Sequence, residues 1–351
     1  MTENTYIYNN KAAVLEKINK PLKVKKLMTK KIARNQLLIR VKYTFVCGSQ
    51  LNEIFGKKGK DKYLPHTLGH EAVGIIIKAG SKITKFKNGD TVIISWIKNS
   101  KLECANAEHL DIANKKVNSG PVSTFVKFAI TSESRVYKIN SKKLKKIYAL
   151  YGCAMPTGVG IALQAMKNLK KNNFITIYGL GGIGLIVFAT LKYFGYKNII
   201  AVEKNKERLK LLKKLGCKLS LNLVSFEKLI HKNDIKISEI KRSIDTSGNI
   251  FLMRNAFKNL SKDGKFYIAG NPSKGEVLKI DPYEIIYGKR IFGSIGGDIS
   301  IKKNIKLFDR IVEKNPYLFK KFIDKSYNLE EINLAIKNFL KGKIIRPLIK
   351  I

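Results

Sequence analysis

One stretch of the chain has the spacing of a phosphate-binding turn. A β-branched apolar run leads through G-x-G-x-x-G into an apolar helical pattern, in the order Phe174-Ile-Thr-Ile-Tyr-Gly179-Leu-Gly181-Gly182-Ile183-Gly184. Gly179 permits the tight turn, Gly181 lets the backbone approach a pyrophosphate, and Gly184 lets the helix pack on the strand. The start of that helix offers unpaired N–H groups and a positive dipole end to phosphate. The stretch therefore predicts dinucleotide binding.

A carboxylate follows where such a site needs one. The next apolar run, Asn198–Val202, ends in Glu203, about 20 residues beyond the glycines, where an acid meets the adenosine ribose 2′-hydroxyl. A glycine-rich turn without a ligand is the alternative. The complete unit of strand, turn, helix, strand and acid favours the binding site.

Thiols form the second set of candidate chemical groups. The four cysteines, Cys47, Cys104, Cys153 and Cys217, are far apart and form no C-x-x-C pair. In a chain of 351 residues without a signal-peptide pattern, this spacing does not indicate a disulfide framework. It favours single thiolates that act as metal ligands together with histidine. Taken singly, a cysteine such as Cys47 or Cys153 is better explained as a buried structural thiol.

The surroundings of His70 favour a metal site. Gly69-His70-Glu71 precedes one apolar strand pattern, and Gly89-Asp90 precedes another. This arrangement resembles the medium-chain, zinc-dependent alcohol dehydrogenases. In that resemblance Cys47 of Val-Cys-Gly-Ser matches the first zinc ligand and His70 the second, while Cys153 of Cys-x-x-x-Thr-Gly-x-Gly matches the third. It implies one catalytic zinc with an open fourth position.

The resemblance implies catalytic roles for two neighbours of these ligands. Ser49 matches the hydroxyl that takes the proton of the alcohol, and Glu71 matches a carboxylate that lies close to the zinc as an alternate ligand or a polarising group. Asn52 stands where many relatives have a histidine that passes the proton on, and an amide cannot titrate. Water or a different route must replace that histidine. His66 is near in sequence, but the sequence does not place it in space.

Further residues match the cofactor site of the family. Thr157 matches the residue that bonds the nicotinamide carboxamide, Ile183 the one that packs on the ring, and Arg208 the basic residue beside the adenosine ribose. Arg346 matches the arginine that reaches the pyrophosphate, with a surface arginine as the alternative. Because the carboxylate of Glu203 would repel a 2′-phosphate, we expect NAD(H) to be favoured over NADP(H). The basic neighbours Lys204 and Arg208 oppose this preference.

The chain departs from the family between residues 96 and 120. Many relatives carry four cysteines around a structural zinc there, whereas this chain has only Cys104 and His109. One cysteine and one histidine cannot close a tetrahedral site, so we expect a shortened lobe without structural zinc. The strand pattern at 289–297 resembles the segment through which family members pair edge to edge. Pairing at such a position is physically reasonable, because the unpaired N–H and C=O groups of an edge strand can bond to a second copy. A homo-oligomer follows, either dimer or tetramer.

The overall pattern predicts an α/β protein of two domains. A mostly β, GroES-like catalytic domain is expected at 1–154 and 296–351, and a Rossmann domain with a doubly wound parallel sheet at 155–295. Period-two alternation indicates a strand at 37–45. Helical patterns occur at about 303–314 and 329–341. In the family, the C-terminal segment returns to complete the first domain.

The composition restricts the class of protein. The chain is 44% hydrophobic with a formal net charge of +42, which is compatible with a nucleic-acid or membrane-surface binder or with an enzyme that has a lysine-rich surface. The lysines form no single block, which favours the enzyme, with no specific nucleic-acid partner. No apolar run is long enough to span a bilayer, and the polar N-terminus has no signal pattern. We therefore expect a cytoplasmic protein without a membrane partner.

Together these features predict a zinc-dependent oxidoreductase that transfers hydride between NAD(H) and an alcohol or polyol, or its carbonyl partner. A sugar- or polyol-phosphate dehydrogenase of the same family is one alternative. A basic binding protein that keeps the fold but has lost catalysis is another. The three ligand positions and the glycine fingerprint are intact, which favours the enzyme.

Overall fold

The computed structural model describes residues 6–140 and 144–351 of the chain. Contacts divide the chain into two units: unit 1 contains the chain up to Cys153 with Ser300–Ile305 and Phe319–Ile351, and unit 2 contains Ala154–Ile299 and Lys306–Leu318. The sequence predicted a boundary at 154/155 and all of 296–351 in the first domain. The structure instead groups 296–299 and 306–318 with unit 2, and helix α8 contributes residues to both units.

The N-terminal part of unit 1 consists mainly of strands. Its elements are β1 (Tyr6–Leu15), β2 (Lys23–Lys30), β3 (Leu37–Phe45), helix α1 (Gly48–Ile54), β4 (His66–Thr67), β5 (Glu71–Ala79), β6 (Thr91–Ser95), β7 (His109–Leu110), β8 (Lys116–Val117), β9 (Phe128–Thr131) and β10 (Val136–Lys138). Short 3-10 turns occupy Glu133–Arg135 and Lys146–Gly152. The second of these turns leads directly to Cys153.

Unit 2 alternates strands and helices. Its elements are α2 (Ala154–Met166), β11 (Phe174–Tyr178), α3 (Gly182–Tyr193), β12 (Ile199–Val202), α4 (Lys206–Lys214), β13 (Leu219–Leu221), α5 (Leu223–His231), β14 (Ile240–Asp245), α6 (Ile250–Lys258), β15 (Lys265–Ile268), α7 (Pro282–Ile286) and β16 (Arg290–Gly293). The strands are parallel in the order β13-β12-β11-β14-β15-β16. The chain reverses its winding between β11 and β14, where doubly wound sheets bind ligands.

The C-terminal segment supplies the remaining elements: α8 (Ile301–Lys314), α9 (Pro316–Ile323), β17 (Ser326–Asn328), α10 (Ile332–Leu340) and β18 (Leu348–Lys350). Helices α8 and α10 correspond to the two predicted helical patterns. Helix α9 was not predicted, because Asn315-Pro316 reads as the end of a helical pattern. Proline at a first helical position is compatible with a new helix, since its missing N–H would be unpaired there anyway.

Two sheets form the core of unit 1. One has the order β4-β1-β2-β7-β8, and the other has the order β10-β6-β5-β3-β18-β17 with β9 also paired to β3. Strand β3 is central, so its alternation is incomplete: Leu38 is buried along with Leu37, Ile39 and Val41. Strand β18 pairs antiparallel with β3 and parallel with β17. The C-terminal segment therefore completes this sheet.

The predicted fold class, a doubly wound parallel sheet with a mostly β second unit, is confirmed. Among the described residues, none of the helices combines the length and apolar character needed to cross a bilayer.

Candidate active site

Three potential metal ligands meet in unit 1. Cys47 lies two residues after the end of β3 at the N-cap position of α1, His70 directly precedes β5, and Cys153 follows the 3-10 turn at Lys146–Gly152. One ligand atom from each lies within 4.8 Å of the corresponding atoms of the other two. Two sulfurs and an imidazole at this separation have the composition and spacing of a tetrahedral zinc site with three protein ligands.

The strands explain why these distant residues converge. β3 and β5 are antiparallel neighbours, with Thr44 opposite Ala72, so the end of β3 and the start of β5 lie side by side. The turn before Cys153 reaches them because Gly152 has no side chain. A Cβ on Gly152 would lie 2.3 Å from the Ile94 carbonyl oxygen and 2.9 Å from Glu71 Cβ.

Hydrogen bonds connect the backbones that carry the ligands. The backbone N–H of Trp96 donates to the His70 carbonyl at 3.1 Å, and the Ser95 hydroxyl donates to the Gly152 carbonyl at 2.6 Å. The Trp96 ring also lies edge-on to the His70 ring, with 6.4 Å between centroids. The two residues at the end of β6 thus join the segments of the second and third ligands.

Gln50 connects the first and second ligands. Its Oε1 accepts from the Cys47 backbone N–H at 2.8 Å, and its Nε2 contacts His70 Nδ1. The side chain is buried. Gln50, Ser95 and Trp96 were not predicted from the sequence. The Cys-x-x-Gln spacing, in which Gln50 occupies the third position of a capping box, was a signal that could have identified Gln50.

The donor atoms fit a divalent cation. His70 Nε2 is buried and has no hydrogen-bond partner among the described residues, which is uncommon for a buried polar atom. The hydrogen bond from Cys153 lowers the pKa of Cys47, and the same bond raises the pKa of Cys153. The two sulfurs therefore favour one thiolate, and a bound cation would favour a second.

Glu71 and Arg346 form an ion pair beside the ligands. Arg346 Nε donates to Glu71 Oε1 at 2.9 Å and Nη2 contacts the same oxygen. Burial raises the pKa of Glu71 to about 7, while the Arg346 guanidinium opposes that rise. Arg346 is thus not a surface arginine. Its expected contact with a pyrophosphate, and the expected role of Glu71 toward zinc, stay predictions.

The polar residues considered for a proton route fall into two places: Ser49 and Asn52 in α1, and a separate cluster around His66. Ser49 and Asn52 lie in α1, where a spacing of three residues places them on one face. His66 contacts the Asp61 carboxylate through Nε2 at 2.8 Å and the Thr67 carbonyl through Nδ1 at 3.1 Å. Glu53 belongs to the same polar cluster and pairs with Lys58 at 3.0 Å. The members of this cluster are therefore already paired.

Cys104 and His109 occupy separate environments. Of the described residues, two groups of three have donor atoms close enough to share a metal ion, and neither contains Cys104 or His109. Burial raises the pKa of the Cys104 thiol. His109 is buried in β7 and its Nδ1 lies 2.8 Å from the Thr29 hydroxyl. His109 therefore has a structural hydrogen bond.

In unit 2 the glycine turn lies at the reversal of winding. Gly179 has a φ of +83°, which favours glycine, and a Cβ on Gly184 would lie 2.1 Å from the Gly179 carbonyl oxygen. A Cβ on Gly181 would meet only Arg208 Nη1, at 4.0 Å. No side chain caps the start of α3 at Gly181. This open backbone next to free N–H groups fits a pyrophosphate.

Glu203 lies directly beside this turn. Its Oε2 accepts from the Leu180 N–H at 2.7 Å, and its Oε1 accepts from the N–H groups of Lys204 and Asn205 at 2.8 and 3.0 Å. Arg208 Nη1 lies 3.5 Å from Oε2. The carboxylate therefore holds the backbone of the turn, and its expected contact with a ribose stays a prediction.

The remaining predicted cofactor residues belong to the adjoining helices. Thr157 is buried in the first turn of α2, and Ile183 is partly buried at the start of α3. The two helix starts approach closely, because a Cβ on Gly158 would lie 3.1 Å from the Ile183 carbonyl oxygen. The structure thus brings together the predicted cofactor residues of unit 2 and, separately, the predicted metal ligands of unit 1.

Comparison with known proteins agrees with this architecture. Residues 33–141 match the family described as alcohol dehydrogenase GroES-like domain, and residues 182–312 match the zinc-binding dehydrogenase family. Alcohol dehydrogenase 2 of Oryza sativa is 25% identical over 96% of this chain and 96% of its own length. S-(hydroxymethyl)glutathione dehydrogenase of Escherichia coli is 24% identical over 97% of this chain and 99% of its own length.

Solved structures share the fold over nearly the whole chain. Benzyl alcohol dehydrogenase from Acinetobacter calcoaceticus superposes with a TM-score of 0.85 at 25% identity, covering 98% of this chain and 100% of that one. An alcohol dehydrogenase zinc-binding domain protein from Burkholderia ambifaria superposes with a TM-score of 0.87 at 20% identity, covering 97% and 98%. The chain therefore belongs to the medium-chain, zinc-binding alcohol dehydrogenase family and is an oxidoreductase of that family.

Proposed function

We propose that this protein is a zinc-dependent alcohol dehydrogenase that transfers hydride between NAD(H) and an alcohol or its carbonyl partner. The observation that carries the proposal is the convergence of Cys47, His70 and Cys153 within 4.8 Å, with His70 Nε2 buried and unpartnered among the described residues. A zinc ion held by these residues would act as a Lewis acid on the substrate oxygen. Two thiolates and a neutral imidazole would balance its charge.

The side chains around the ligands would prepare this chemistry. Gln50, Ser95 and the Trp96 backbone would hold the ligand-bearing segments in register through the hydrogen bonds described above. The Ser49 hydroxyl, two residues after Cys47, would accept the proton of the alcohol at Oγ. Asn52 cannot carry that proton onward, so we assign the next step to water.

The cofactor would bind along the glycine turn of unit 2. Backbone N–H groups at the start of α3 would hold the pyrophosphate, Thr157 would bond the carboxamide, and Ile183 would pack on the nicotinamide, which supplies hydride-transfer chemistry when bound. The Glu203 carboxylate would meet the adenosine ribose and disfavour a 2′-phosphate. Its buried position supports NAD(H) as the preferred cofactor.

Zinc content tests the metal site directly. We expect the purified protein to hold one zinc per chain by elemental analysis, and Cys153→Ser to lose most of it. Cys217→Ser is the matched control, because Cys217 is a buried cysteine of unit 2 whose thiol donates to the Ile199 carbonyl at 3.6 Å. Equal zinc in both variants would contradict the proposed site.

Activity assays test the reaction. We expect NAD⁺-linked oxidation of plain alcohols, with little turnover on their phosphorylated counterparts, in a panel that contains both. A clear preference for phosphorylated substrates would instead support the sugar- or polyol-phosphate alternative. Absence of turnover across the panel in zinc-loaded protein would support a binding protein.

The edge of the parallel sheet supports self-association. β16 is the last strand in the sheet order, and Phe292 within it is 39% exposed. Strands with unpaired N–H and C=O groups pair readily with a second copy. We propose a homo-oligomer that uses this edge, and light scattering after size-exclusion chromatography would distinguish a dimer from a tetramer.

A further inference from the structure

Gln50 contacts two of the three metal-ligand residues through opposite ends of its amide. The Cys47 backbone N–H can only donate, so the amide oxygen must face it, as the 2.8 Å contact requires. The amide nitrogen, which can only donate, therefore faces His70 Nδ1. That contact places a lone pair on Nδ1 and the imidazole proton on Nε2. Gln50 is 2% exposed, so water does not relieve either contact.

A metal on His70 demands the opposite arrangement. Histidine binds a metal through an unprotonated nitrogen, and its other nitrogen then keeps a proton and donates it to a nearby acceptor. With His70 Nε2 on the ion, Nδ1–H becomes a donor aimed at Gln50. The Gln50 amide then faces two N–H donors, one at His70 and one at Cys47. Its single acceptor, the amide oxygen, already accepts from the Cys47 N–H.

We propose that Gln50 couples metal binding to the start of helix α1. When the ion binds, the amide turns its oxygen toward His70, and the Cys47 N–H loses its acceptor. The capping contact at the start of α1 is thereby exchanged for a hydrogen bond that orients His70. This inference rests on the proposed zinc site. It makes Gln50 a positioning residue that weakens metal binding compared with a side chain offering two acceptors.

Glutamate at position 50 offers those two acceptors. In Gln50→Glu one carboxylate oxygen can accept from Cys47 and the other from the metal-bound His70. Other charges near the site are already compensated, since Glu71 pairs with Arg346. We expect Gln50→Glu to bind zinc about 10- to 100-fold more tightly than the wild-type protein, the usual effect of an outer hydrogen-bond partner on metal affinity.

Gln36→Glu is the matched control for this measurement. Gln36 is a second buried glutamine of unit 1 whose amide also bridges two groups, accepting from the Ala33 N–H at 2.7 Å and donating to the Ala105 carbonyl at 2.8 Å. It contacts none of the three ligands in these bonds. Zinc affinity is measured for wild type and both variants by competition with a chromogenic chelator. Gln36→Glu should match the wild type.

The position of the imidazole proton separates this proposal from a simple charge effect. Selective ¹⁵N-histidine labelling of the full-length protein reports which nitrogen of His70 carries the proton, before and after zinc is added. We expect Nε2–H in metal-free wild type and Nδ1–H after loading. Nδ1–H in the metal-free protein would overturn the proposal, even if Gln50→Glu binds more tightly. Equal affinity of Gln50→Glu and wild type would also overturn it while leaving the zinc site intact. A wild-type protein that binds no zinc would instead reject the proposed function.

Discussion

Arg346 lies against Glu71, although 275 residues of chain separate them. The side chains are 3% and 0% exposed. Burial favours the neutral form of each, but the charges of Cys47 and Glu71 raise the pKa of Arg346. The last segment of the chain thus compensates a buried carboxylate that directly follows a metal-ligand residue.

Removing one member of this pair should destabilise unit 1. Arg346→Met removes the guanidinium that compensates the buried Glu71 carboxylate, and loss of one side of a buried ion pair costs about 3–5 kcal/mol. Urea unfolding of the metal-free protein measures it. The double variant Glu71→Gln, Arg346→Met should recover part of the loss, because no unpaired charge remains. As a control, Lys11→Met breaks the exposed pair with Glu330, whose side chains are 47% and 53% exposed, and should cost at most about 1 kcal/mol. Equal losses in the two single variants would contradict the assignment.

Glu203→Gln should reduce the preference for NAD(H). The substitution removes the charge that repels a 2′-phosphate and keeps one acceptor oxygen, which can face either the Leu180 N–H or the N–H groups of Lys204 and Asn205. We expect the ratio of kcat/KM for NAD⁺ to that for NADP⁺ to fall by about tenfold, or ~1.4 kcal/mol. Glu207→Gln, in the helix α4 that follows Glu203 and with a side chain 77% exposed, should leave the ratio unchanged. A ratio that does not respond to Glu203→Gln would show that selectivity lies elsewhere.

His109 should make the protein sensitive to acid. Burial lowers its pKa from 6.5 to about 4. Between these values the unfolded chain binds a proton that the folded protein excludes, so stability falls as the pH falls from 6.5 and levels off below about 4. Across this pH range the free energy of unfolding should fall by about 3 kcal/mol because of His109, since a pKa shift of one unit corresponds to about 1.4 kcal/mol.

His109→Asn keeps an acceptor for the Thr29 hydroxyl without a titrating group. The slope of unfolding free energy against pH between 4 and 6.5 should therefore become shallower in this variant. His231→Asn, at an exposed position of α5, is the control and should retain the wild-type slope. An unchanged slope in His109→Asn would assign the acid sensitivity to other groups.

Gly160→Ala should be destabilising although alanine favours helices. The intrinsic helix propensity of alanine is more favourable than that of glycine by about 1 kcal/mol. However, a Cβ at position 160 would lie 2.1 Å from the Gly297 carbonyl oxygen. Overpacking of this kind costs about 1–3 kcal/mol, and the backbone contact leaves little room to adjust. Gly120→Ala, where a Cβ would lie 3.4 Å from the Val122 carbonyl oxygen, an ordinary contact distance, should have little effect. Thermal denaturation gives the Tm of both variants. A higher Tm for Gly160→Ala than for the wild type would show that the segments around Gly160 and Gly297 can move apart to admit the methyl group.

Local patterns in the sequence predicted much of unit 2. Strand β11, the glycine turn and helix α3 follow from apolar periodicity and from glycine spacing, because each depends on neighbouring residues. The position of Glu203 followed from the same unit. The three additional backbone bonds of its carboxylate did not, since they depend on how the turn closes.

The metal site shows where such patterns stop. The spacing of Cys47, His70 and Cys153 along the chain does not indicate that they meet, and from the sequence only the family resemblance grouped them. In the structure, the pairing of β3 with β5 brings the first two together. The pairing of Glu71 with Arg346 depends on β18 joining β3, a long-range contact without a local signature. Gln50 was not predicted because an amide side chain neither titrates nor belongs to a recognised metal-binding pattern. Its role depends on which atoms surround it.

Strand β18 has a consequence for synthesis of the protein. It lies between β3 and β17, and along the chain it comes after every strand of unit 2. The larger sheet of unit 1 therefore cannot be completed until the strands of unit 2, from Phe174 to Gly293, have been synthesised. We expect the half with the glycine turn to be able to form first during translation, and the half with the thiol and imidazole groups to close later.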